Sequence, residues 1–243
     1  MKKKWLIYVV FFTLLLLLFY VFVFWDYDFS ASKLKVINAS VPGFSFTDQN
    51  GQAFTQNNVD GKVYVAEYFF TTCRGICPKM NANMRRVFDA YKDEPGFAIV
   101  SHTCMPETDS VPLMKAYEKK MINGKLLQGT DGLYKISMQG TDSTAAVTNP
   151  NWFFVTGDKE QLYKLARQGY MIDNDQPDST QNIANQFIHT QFFALMDKNG
   201  RLRGIYDGLR NDEVEKMIHD IKDLLGEKIK TKRFMNGFGN NPG

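Results

Sequence analysis

The stretch from Val63 to Met80 most narrowly limits the folds open to this chain. Val63 to Phe70 is an apolar run rich in β-branched and aromatic residues, which is typical of a buried strand. A loop with Cys73 and Cys77 follows, and it ends at Pro78. Because proline suits the first position of a helix, we predict a helix beginning at Pro78 with Cys77 as its N-cap. A loop between a strand and a helix start is where α/β folds place functional residues.

The two cysteines have a functional and a structural interpretation. A thiol at a helix N-terminus and beside Arg74 is expected to ionise readily, and the thiolate attacks disulfides and binds soft metals. Gly75 is expected to let the loop fold tightly enough for the two sulfurs to meet. The alternative is a structural disulfide or a pair of small core residues, since disulfides are common outside the cytoplasm. The position between a strand and a helix favours the functional interpretation.

The N-terminus predicts a membrane anchor. Residues 5–25 contain no charged residue and include five consecutive leucines, which is long enough for a helix to cross a bilayer. Trp5 and Trp25 stand at the two ends, where interfacial aromatics are common. The apolar run is longer than that of a cleavable signal peptide, although Ser30-Ala31-Ser32 is a weak cleavage candidate. We therefore predict an uncleaved transmembrane helix.

Charges around this helix predict its orientation. Lys2, Lys3 and Lys4 precede it and Asp26 follows it, so the positive-inside rule leaves residues 1–4 in the cytoplasm and exports the remainder. Without an Arg/Ser-rich presequence, we expect a single-pass protein of a bacterial inner membrane with its domain in the periplasm. The formal net charge of +3 equals those three lysines. No basic stripe with interleaved aromatics is present, and we expect no nucleic-acid partner.

The rest of the chain predicts one α/β domain at residues 41–225, after a tether at residues 26–40. The pattern around Asn50-Gly51 predicts a β-hairpin. Further strands are expected at residues 97–101, 152–156, 170–172, 187–196 and 201–206, and helices at residues 78–91, 110–121, 159–168 and 212–225. The second of these helices is expected to be capped near Asp109. This order predicts a central mixed sheet with helices on both faces.

Two segments give weaker patterns. Residues 122–149 are rich in Gly, Thr, Ser and Asn, and we treat them as an insertion at the domain edge with a possible short helix near residues 133–138. Residues 173–181 are expected to form a polar loop. Residues 226–243 are rich in Gly, Asn and Lys and are expected to form a flexible tail.

His189 is the third candidate for the site. A lone loop histidine is most often a surface residue, and His219 is interpreted in that way. If the sheet places the strand after His189 beside the strand ending at Phe70, however, His189 meets the cysteine loop. Two thiolates and an imidazole suit copper, whereas a structural zinc site normally has four protein ligands. Met80 and Met84, four apart on a helix, are explained by core packing.

Three stretches together resemble the Sco/SenC family: Tyr68 to Met80, Trp152 to Asp158, and His189 to Gly200. The resemblance covers roughly residues 41–225. It implies a thioredoxin-like fold and a membrane-anchored copper protein that helps to assemble the copper centre of cytochrome c oxidase. It also implies that Cys73, Cys77 and His189 bind copper, as Cu(I) or Cu(II), and that the partner is the oxidase subunit that carries the copper centre.

The sequence departs from the family pattern in three places. Arg74 and Gly75 stand where the family usually has proline and aspartate, and residues 122–149 are longer than expected. Cys104 lies in a loop that normally lacks a cysteine. Our hypothesis is that Cys104 serves as a resolving thiol or an alternate ligand; the alternative, which we favour, is a small buried residue.

Two functions in different classes fit this pattern. The first is a copper metallochaperone, whose reaction is transfer rather than enzymatic turnover. The second is a thiol–disulfide reductase in which Cys73 and Cys77 form a redox pair that keeps the target's cysteines reduced. The helix position favours Cys77 as the attacking thiol, whereas greater exposure favours Cys73. A peroxiredoxin-like peroxidase ranks well behind, because Phe70 and Arg74 occupy the positions where that class has threonine.

Overall fold

The computed structural model describes residues 2–24, 34–142, 145–173 and 190–227 of the protein. Its helices are α1 (Lys2–Phe24), α2 (Cys77–Tyr91), α3 (Val111–Asn123), α4 (Lys159–Lys164) and α5 (Asn211–Gly226). Its strands are β1 (Ser45–Asp48), β2 (Ala53–Thr55), β3 (Val63–Phe69), β4 (Phe97–Thr103), β5 (Lys125–Gln128), β6 (Tyr134–Ser137), β7 (Trp152–Thr156), β8 (Phe192–Met196) and β9 (Leu202–Asp207).

Seven of these strands form a mixed sheet in the order β2-β1-β7-β4-β3-β8-β9. Strands β3, β4 and β7 run parallel to one another, whereas β1, β8 and β9 are antiparallel to their neighbours. Strand β3 lies inside the sheet between β4 and β8, and every one of its residues is buried. This position explains its almost continuous apolar sequence.

Helices cover both faces of the sheet, as predicted. Side chains of β3 alternate between two hydrophobic cores, so that Val65 packs with residues of α2, α3 and α5 while Tyr64 packs with residues of α4. Met80 and Met84 of α2 are fully enclosed in the first core. Their burial confirms the interpretation of both methionines as packing residues.

The predicted N-terminal hairpin is confirmed. Strands β1 and β2 pair in antiparallel register, with Phe46 opposite Phe54. The turn between them needs Gly51, whose φ is +76°. Through Thr47, β1 also pairs with Thr156 of β7, which joins the hairpin to the main sheet.

Residues 34–38, which the predicted tether includes, contact strand β9. The backbone N–H of Ile37 donates to the carbonyl oxygen of Leu202 at 2.8 Å, and the N–H of Leu202 donates to the carbonyl oxygen of Asn38 at 2.9 Å. The guanidinium of Arg203 donates to the carbonyl oxygen of Leu34 at 2.6 Å. These residues therefore cover the outer edge of β9. The remainder of the predicted tether, residues 26–33, lies outside the described residues.

The prediction of a short helix near residues 133–138 is wrong. Strands β5 and β6 form a hairpin there, with Leu126 opposite Ile136. Between the strands Gly132 has a φ of +76°, and the preceding Asp131 makes the Asp-Gly pair that is typical of a hairpin turn. The Asp131-Gly132 turn therefore makes residues 125–137, within the polar segment 122–149, a β-hairpin.

The prediction of a strand at residues 170–172 is also wrong. The N–H of Tyr170 donates to the carbonyl oxygen of Leu165, and that of Ile172 donates to the carbonyl oxygen of Ala166. These bonds close the end of a π-helical turn that continues α4, so the backbone groups needed for sheet pairing are already used. The polar loop predicted from residue 173 falls, after Asp173, outside the described residues.

Helix α1 agrees with the predicted N-terminal helix. Its segment Lys4–Phe22 has a mean hydropathy of 2.6, and none of its residues is buried inside the protein. An apolar segment of this length suits a membrane span. Trp25 and the predicted tail beyond Glu227 lie outside the described residues.

Candidate functional site

Three segments of the chain meet at one edge of the sheet. Strands β3 and β4 are parallel, and Phe69 pairs with Thr103, so both strands end at this edge. Strand β8 is antiparallel to β3, with Ala194 opposite Ala66, and therefore begins where β3 ends. The condition on which the interpretation of His189 depended, that the strand after it lies beside β3, is therefore met. The cysteine loop, Cys104 and the chain entering β8 consequently come together.

The cysteine loop differs from the prediction in its helix start. Helix α2 begins at Cys77, its N-cap is Ile76, and Pro78 lies in the first turn, so the assignment of Cys77 as the N-cap is wrong. The N–H of Cys73 donates to the carbonyl oxygen of Phe70 at 3.2 Å, which closes the turn after β3. Gly75 is not among the glycines with positive φ, and a side chain there would meet no atom. Glycine is therefore not required for the loop to close.

The two thiols are free and interact with each other. Cys73 is half-buried, Cys77 is 4% exposed, and neither forms a disulfide. Burial, together with a hydrogen bond to the Cys73 thiol, raises the pKa of Cys77 well above its ordinary value. The expectation that the helix position would favour a Cys77 thiolate is wrong, because burial disfavours the charged form of the thiol. Cys73 is therefore the more accessible nucleophile.

A cavity of about 310 Å³ opens beside these thiols. Its lining includes Cys73, Cys77 and Cys104, together with Thr190 at the approach to β8. His189 itself lies outside the described residues, and its neighbour Thr190 is the described residue that brings this segment to the cavity. The described residues of the cavity thus include two adjacent soft donors and a third thiol.

Cys104 lies where the loop after β4 begins. Its side chain is 3% exposed, its N–H donates to the carbonyl oxygen of Phe69 at 2.8 Å, and its own carbonyl oxygen accepts from the Tyr163 hydroxyl at 3.4 Å. Burial raises the pKa of the Cys104 thiol. The residue is thus both a small core residue and part of the cavity wall.

Asp109 joins the loop after β4 to the cysteine loop. Its carboxylate accepts hydrogen bonds from the hydroxyls of Thr71 and Thr103, each at 2.5 Å. The N-cap of α3 is Ser110, next to Asp109 as predicted, although its side chain makes no capping hydrogen bond. Sequence reasoning missed this link, and the available signal was an acidic residue in a short polar loop after a predicted strand. Asp109 holds in place the two loops that carry the three thiols.

Glu67 is a buried acid in the strand that leads to the cysteine loop. Its side chain is fully buried; Oε1 accepts from the Ser101 hydroxyl at 2.5 Å, and Oε2 has no hydrogen-bond partner among the described residues. Burial raises the pKa of Glu67 to about 8. In the sequence, a single acidic residue within an apolar run is the signal that could have identified this buried carboxyl group. Glu67 is thus largely protonated at neutral pH.

The two other histidines are not parts of the site. His102 is fully buried in the sheet, where its ring stacks on Tyr68 at 5.0 Å between centroids. Burial lowers the pKa of His102 to about 4, so it stays neutral. His219 is exposed on α5, which confirms its interpretation as a surface residue.

The SCO1/SenC family model matches residues 35–131 and 139–226 of this chain. The chain belongs to the SCO1/SenC family. A SCO1/SenC family lipoprotein from Bacillus anthracis str. Ames is 28% identical in sequence, with a TM-score of 0.58 over 79% of this chain and 98% of that chain. The mixed sheet with helices on both faces is thus the thioredoxin-like fold of Sco proteins.

Two further Sco structures share this fold. BsSco, a member of the Sco family of cytochrome c oxidase assembly proteins in which a disulfide switch was identified, is 23% identical, with a TM-score of 0.57 over 79% of this chain and 98% of that chain. Bradyrhizobium japonicum ScoI, solved with copper bound, is 21% identical, with a TM-score of 0.51 over 76% of this chain and 98% of that chain. Strand β6 of this Sco protein falls in the gap between the two segments matched by the family model.

Exposure predicts the order in which the three thiols of this Sco protein react. With iodoacetamide near neutral pH, Cys73 should be modified first, and at least about tenfold faster than Cys77 or Cys104, because reaction needs an accessible thiolate. Peptide mass spectrometry after timed quenching measures the three rates. In denaturant the rates should converge. Modification of Cys77 or Cys104 as fast as Cys73 in the folded protein would contradict this assignment.

Proposed function

We propose that this protein is a membrane-anchored copper metallochaperone that delivers copper to the copper centre of cytochrome c oxidase during assembly. The supporting observation is the pair of free thiols of Cys73 and Cys77, which line one cavity together with Thr190. Thiolates select Cu(I) over harder metals. Relatives with this fold include a copper-bound ScoI and an oxidase assembly protein.

The proposed ligands are Cys73, Cys77 and His189. The first two supply soft donors from the loop between β3 and α2, and the antiparallel pairing of β8 with β3 leads the chain at Thr190 to the same cavity. An imidazole as third ligand lets the site hold Cu(II) as well as Cu(I). The described residues contain no group of three His, Cys, Asp or Glu side chains that could hold a metal ion, and His189 is the proposed third ligand.

Copper is the cargo in this proposal, and it leaves by ligand exchange. The half-buried Cys73 can be reached by an incoming ligand, whereas Cys77 is enclosed. Transfer can therefore begin at Cys73, with the copper passing stepwise to the thiols of the receiving protein. The reaction ends in transfer and does not regenerate the donor in a catalytic cycle.

Helix α1 is the proposed anchor. Its apolar segment suits a single span, and the three lysines at the N-terminus keep that end in the cytoplasm. The domain at residues 41–225 then lies on the periplasmic side of the inner membrane. Confinement to the membrane that holds the oxidase raises the effective concentration of the donor near its target.

The test is a competition titration with Cu(I) under reducing conditions, using the full-length protein in uncharged detergent micelles. The parent should bind one copper ion. His189→Ala should lower the copper affinity by at least about tenfold, because even the loss of a residue that only hydrogen-bonds a ligand lowers metal affinity by about that factor. His219→Ala removes an exposed histidine of α5 and serves as the matched control. Equal affinity of the parent and His189→Ala would contradict the proposed ligand set.

A thiol–disulfide reductase is the second candidate, and the unequal exposure of the two thiols favours it. The Cys73 thiolate attacks a disulfide of the target protein, forming a mixed disulfide and releasing one target thiol. Cys77 then displaces the second target thiol and forms a disulfide with Cys73, so two electrons pass to the target. His189→Ala should leave this reduction rate unchanged, which separates the two functions.

A further inference from the structure

A groove of about 520 Å³ lies between the cysteine loop and the β5–β6 hairpin. Its first wall includes Arg74, Pro78 and Lys79, and its second wall is formed by residues 129–135 of the hairpin, apart from Gly132. Arg74 and Gly75 also line the cysteine cavity. The groove and the cavity of the thiols therefore meet at Arg74 and Gly75, the two residues that directly follow Cys73.

The hairpin wall is held in a fixed position. The guanidinium of Arg86, from α2, stacks on the ring of Tyr134 at 4.4 Å from its centroid. The side-chain amide of Asn211, at the start of α5, donates to the carbonyl oxygen of Gly132 at 3.0 Å. At the base of the hairpin, a side chain at position 124 would overlap Ile136. The groove is thus formed before any partner arrives, which lowers the entropic cost of binding.

The charge of the groove is positive. Arg74, Lys79 and Lys135 line it, against one carboxylate, that of Asp131. None of the three cations forms an ion pair with another described residue. Asp131 accepts a hydrogen bond from the N–H of Leu133 within its own turn. The cations are therefore available to an outside partner, and their sign selects an anionic one.

We propose that this groove is the docking surface for an acidic segment of the protein that exchanges copper or disulfides with Cys73 and Cys77; this inference rests on the proposed function. The recessed shape, with two walls, suits an extended chain better than a flat lipid surface. Charge complementarity steers the encounter and fixes the register of the partner. The partner's own cysteines would then lie next to the acidic segment, at the end of the groove that meets Cys73.

The test uses a short synthetic peptide rich in Asp and Glu and free of cysteine, carrying a fluorescent label. Its counterpart has Asn and Gln at every acidic position. Binding to the full-length protein in uncharged detergent micelles is measured by fluorescence anisotropy at low and high salt. The acidic peptide should bind at least about tenfold tighter than the neutral one at low salt, and the difference should shrink at high salt because exposed charges are screened.

A matched pair of variants locates the binding. Lys79→Gln/Lys135→Gln should weaken binding of the acidic peptide by about tenfold. Lys92→Gln/Lys222→Gln removes two exposed lysines outside the groove and should change the affinity by less than about twofold. Equal effects of the two double variants would overturn the proposal, as would equal binding of the acidic and neutral peptides.

Two other occupants are distinguishable outcomes that would also overturn the proposal. Protection of Lys79 and Lys135 from acylation by nanodiscs containing anionic lipid, without peptide binding, would assign the groove to a lipid surface. Concentration-dependent self-association that the Lys79→Gln/Lys135→Gln variant loses would assign it to a second copy of the chain. Copper affinity is measured separately on the same preparation, so a failure of the copper site and a failure of docking give different results.

Discussion

Replacement of Cys77 by serine is expected to lower the affinity of the full-length protein for Cu(I) by more than about 100-fold. Removing a residue that only hydrogen-bonds a metal ligand typically lowers metal affinity by about 10–100-fold. Cys77 is itself a proposed ligand, so its loss should lower the affinity further. A serine hydroxyl is a hard, neutral donor that does not replace a thiolate toward Cu(I). Because serine is close to cysteine in size, the enclosed position of Cys77 at the first turn of α2 should tolerate it.

The matched control is Cys104→Ser, which changes another buried thiol lining the same cavity. If the ligands are Cys73, Cys77 and His189, this variant should keep the parent's copper affinity and redox potential. Competition titration gives both affinities, and circular dichroism verifies the fold. A loss in Cys104→Ser as large as that in Cys77→Ser would instead support the hypothesis that Cys104 is an alternate ligand. Unchanged binding by Cys77→Ser would contradict the proposed site.

Replacement of Glu67 by glutamine is expected to stabilise the folded protein at mildly alkaline pH by about 2–4 kcal/mol, since one pKa unit corresponds to about 1.4 kcal/mol. Burial raises the pKa of Glu67 from 4.5 to about 8. The folded state therefore keeps a proton that the unfolded state releases, and the free energy of unfolding falls as pH rises from about 4.5 to about 8. Glutamine removes this dependence while its amide oxygen can still accept from Ser101.

The measurement is the free energy of unfolding of the full-length protein in micelles between pH 6.5 and 8. His102, whose pKa is lowered from 6.5 to about 4 by burial, binds protons near pH 6.5 only in the unfolded state, but it adds the same slope to the parent and to the variants and cancels in their comparison. The parent should lose stability toward pH 8, and Glu67→Gln should lose much less. Glu160→Gln, at an exposed position of α4, should follow the parent. Parallel curves for the parent and Glu67→Gln would contradict the buried, protonated state of Glu67.

Short sequence patterns predicted those parts of the site whose structure depends on residues adjacent in the sequence. The apolar run of β3, the proline after Cys77 and the Asn50-Gly51 turn each determine one element through backbone preferences. The position of β8 beside β3, on which the interpretation of His189 depended, is known from the strand pairing of the fold. These features brought the cysteine loop and the segment before β8 to one edge.

Tertiary packing decided the features that sequence patterns missed. The position of Cys77 near a helix start suggested an ionised thiol, but its enclosure by surrounding residues, which no local pattern reveals, raises its pKa. Glu67 is the single acidic residue in the apolar run of β3, and only the fold shows that Ser101 reaches it. The β5–β6 hairpin was missed because its two strands are only four residues long and none of their residues is buried, although the Asp131-Gly132 turn indicated it.

The most direct test of the central claim is X-ray absorption spectroscopy at the copper edge of the full-length protein loaded with one equivalent of Cu(I). The proposed site predicts a first coordination shell of two sulfur atoms and one nitrogen atom, with the nitrogen contribution lost in His189→Ala. Three sulfur atoms with no nitrogen would place Cys104 in the site instead of His189. A shell of nitrogen and oxygen atoms without sulfur would contradict a copper site at Cys73 and Cys77.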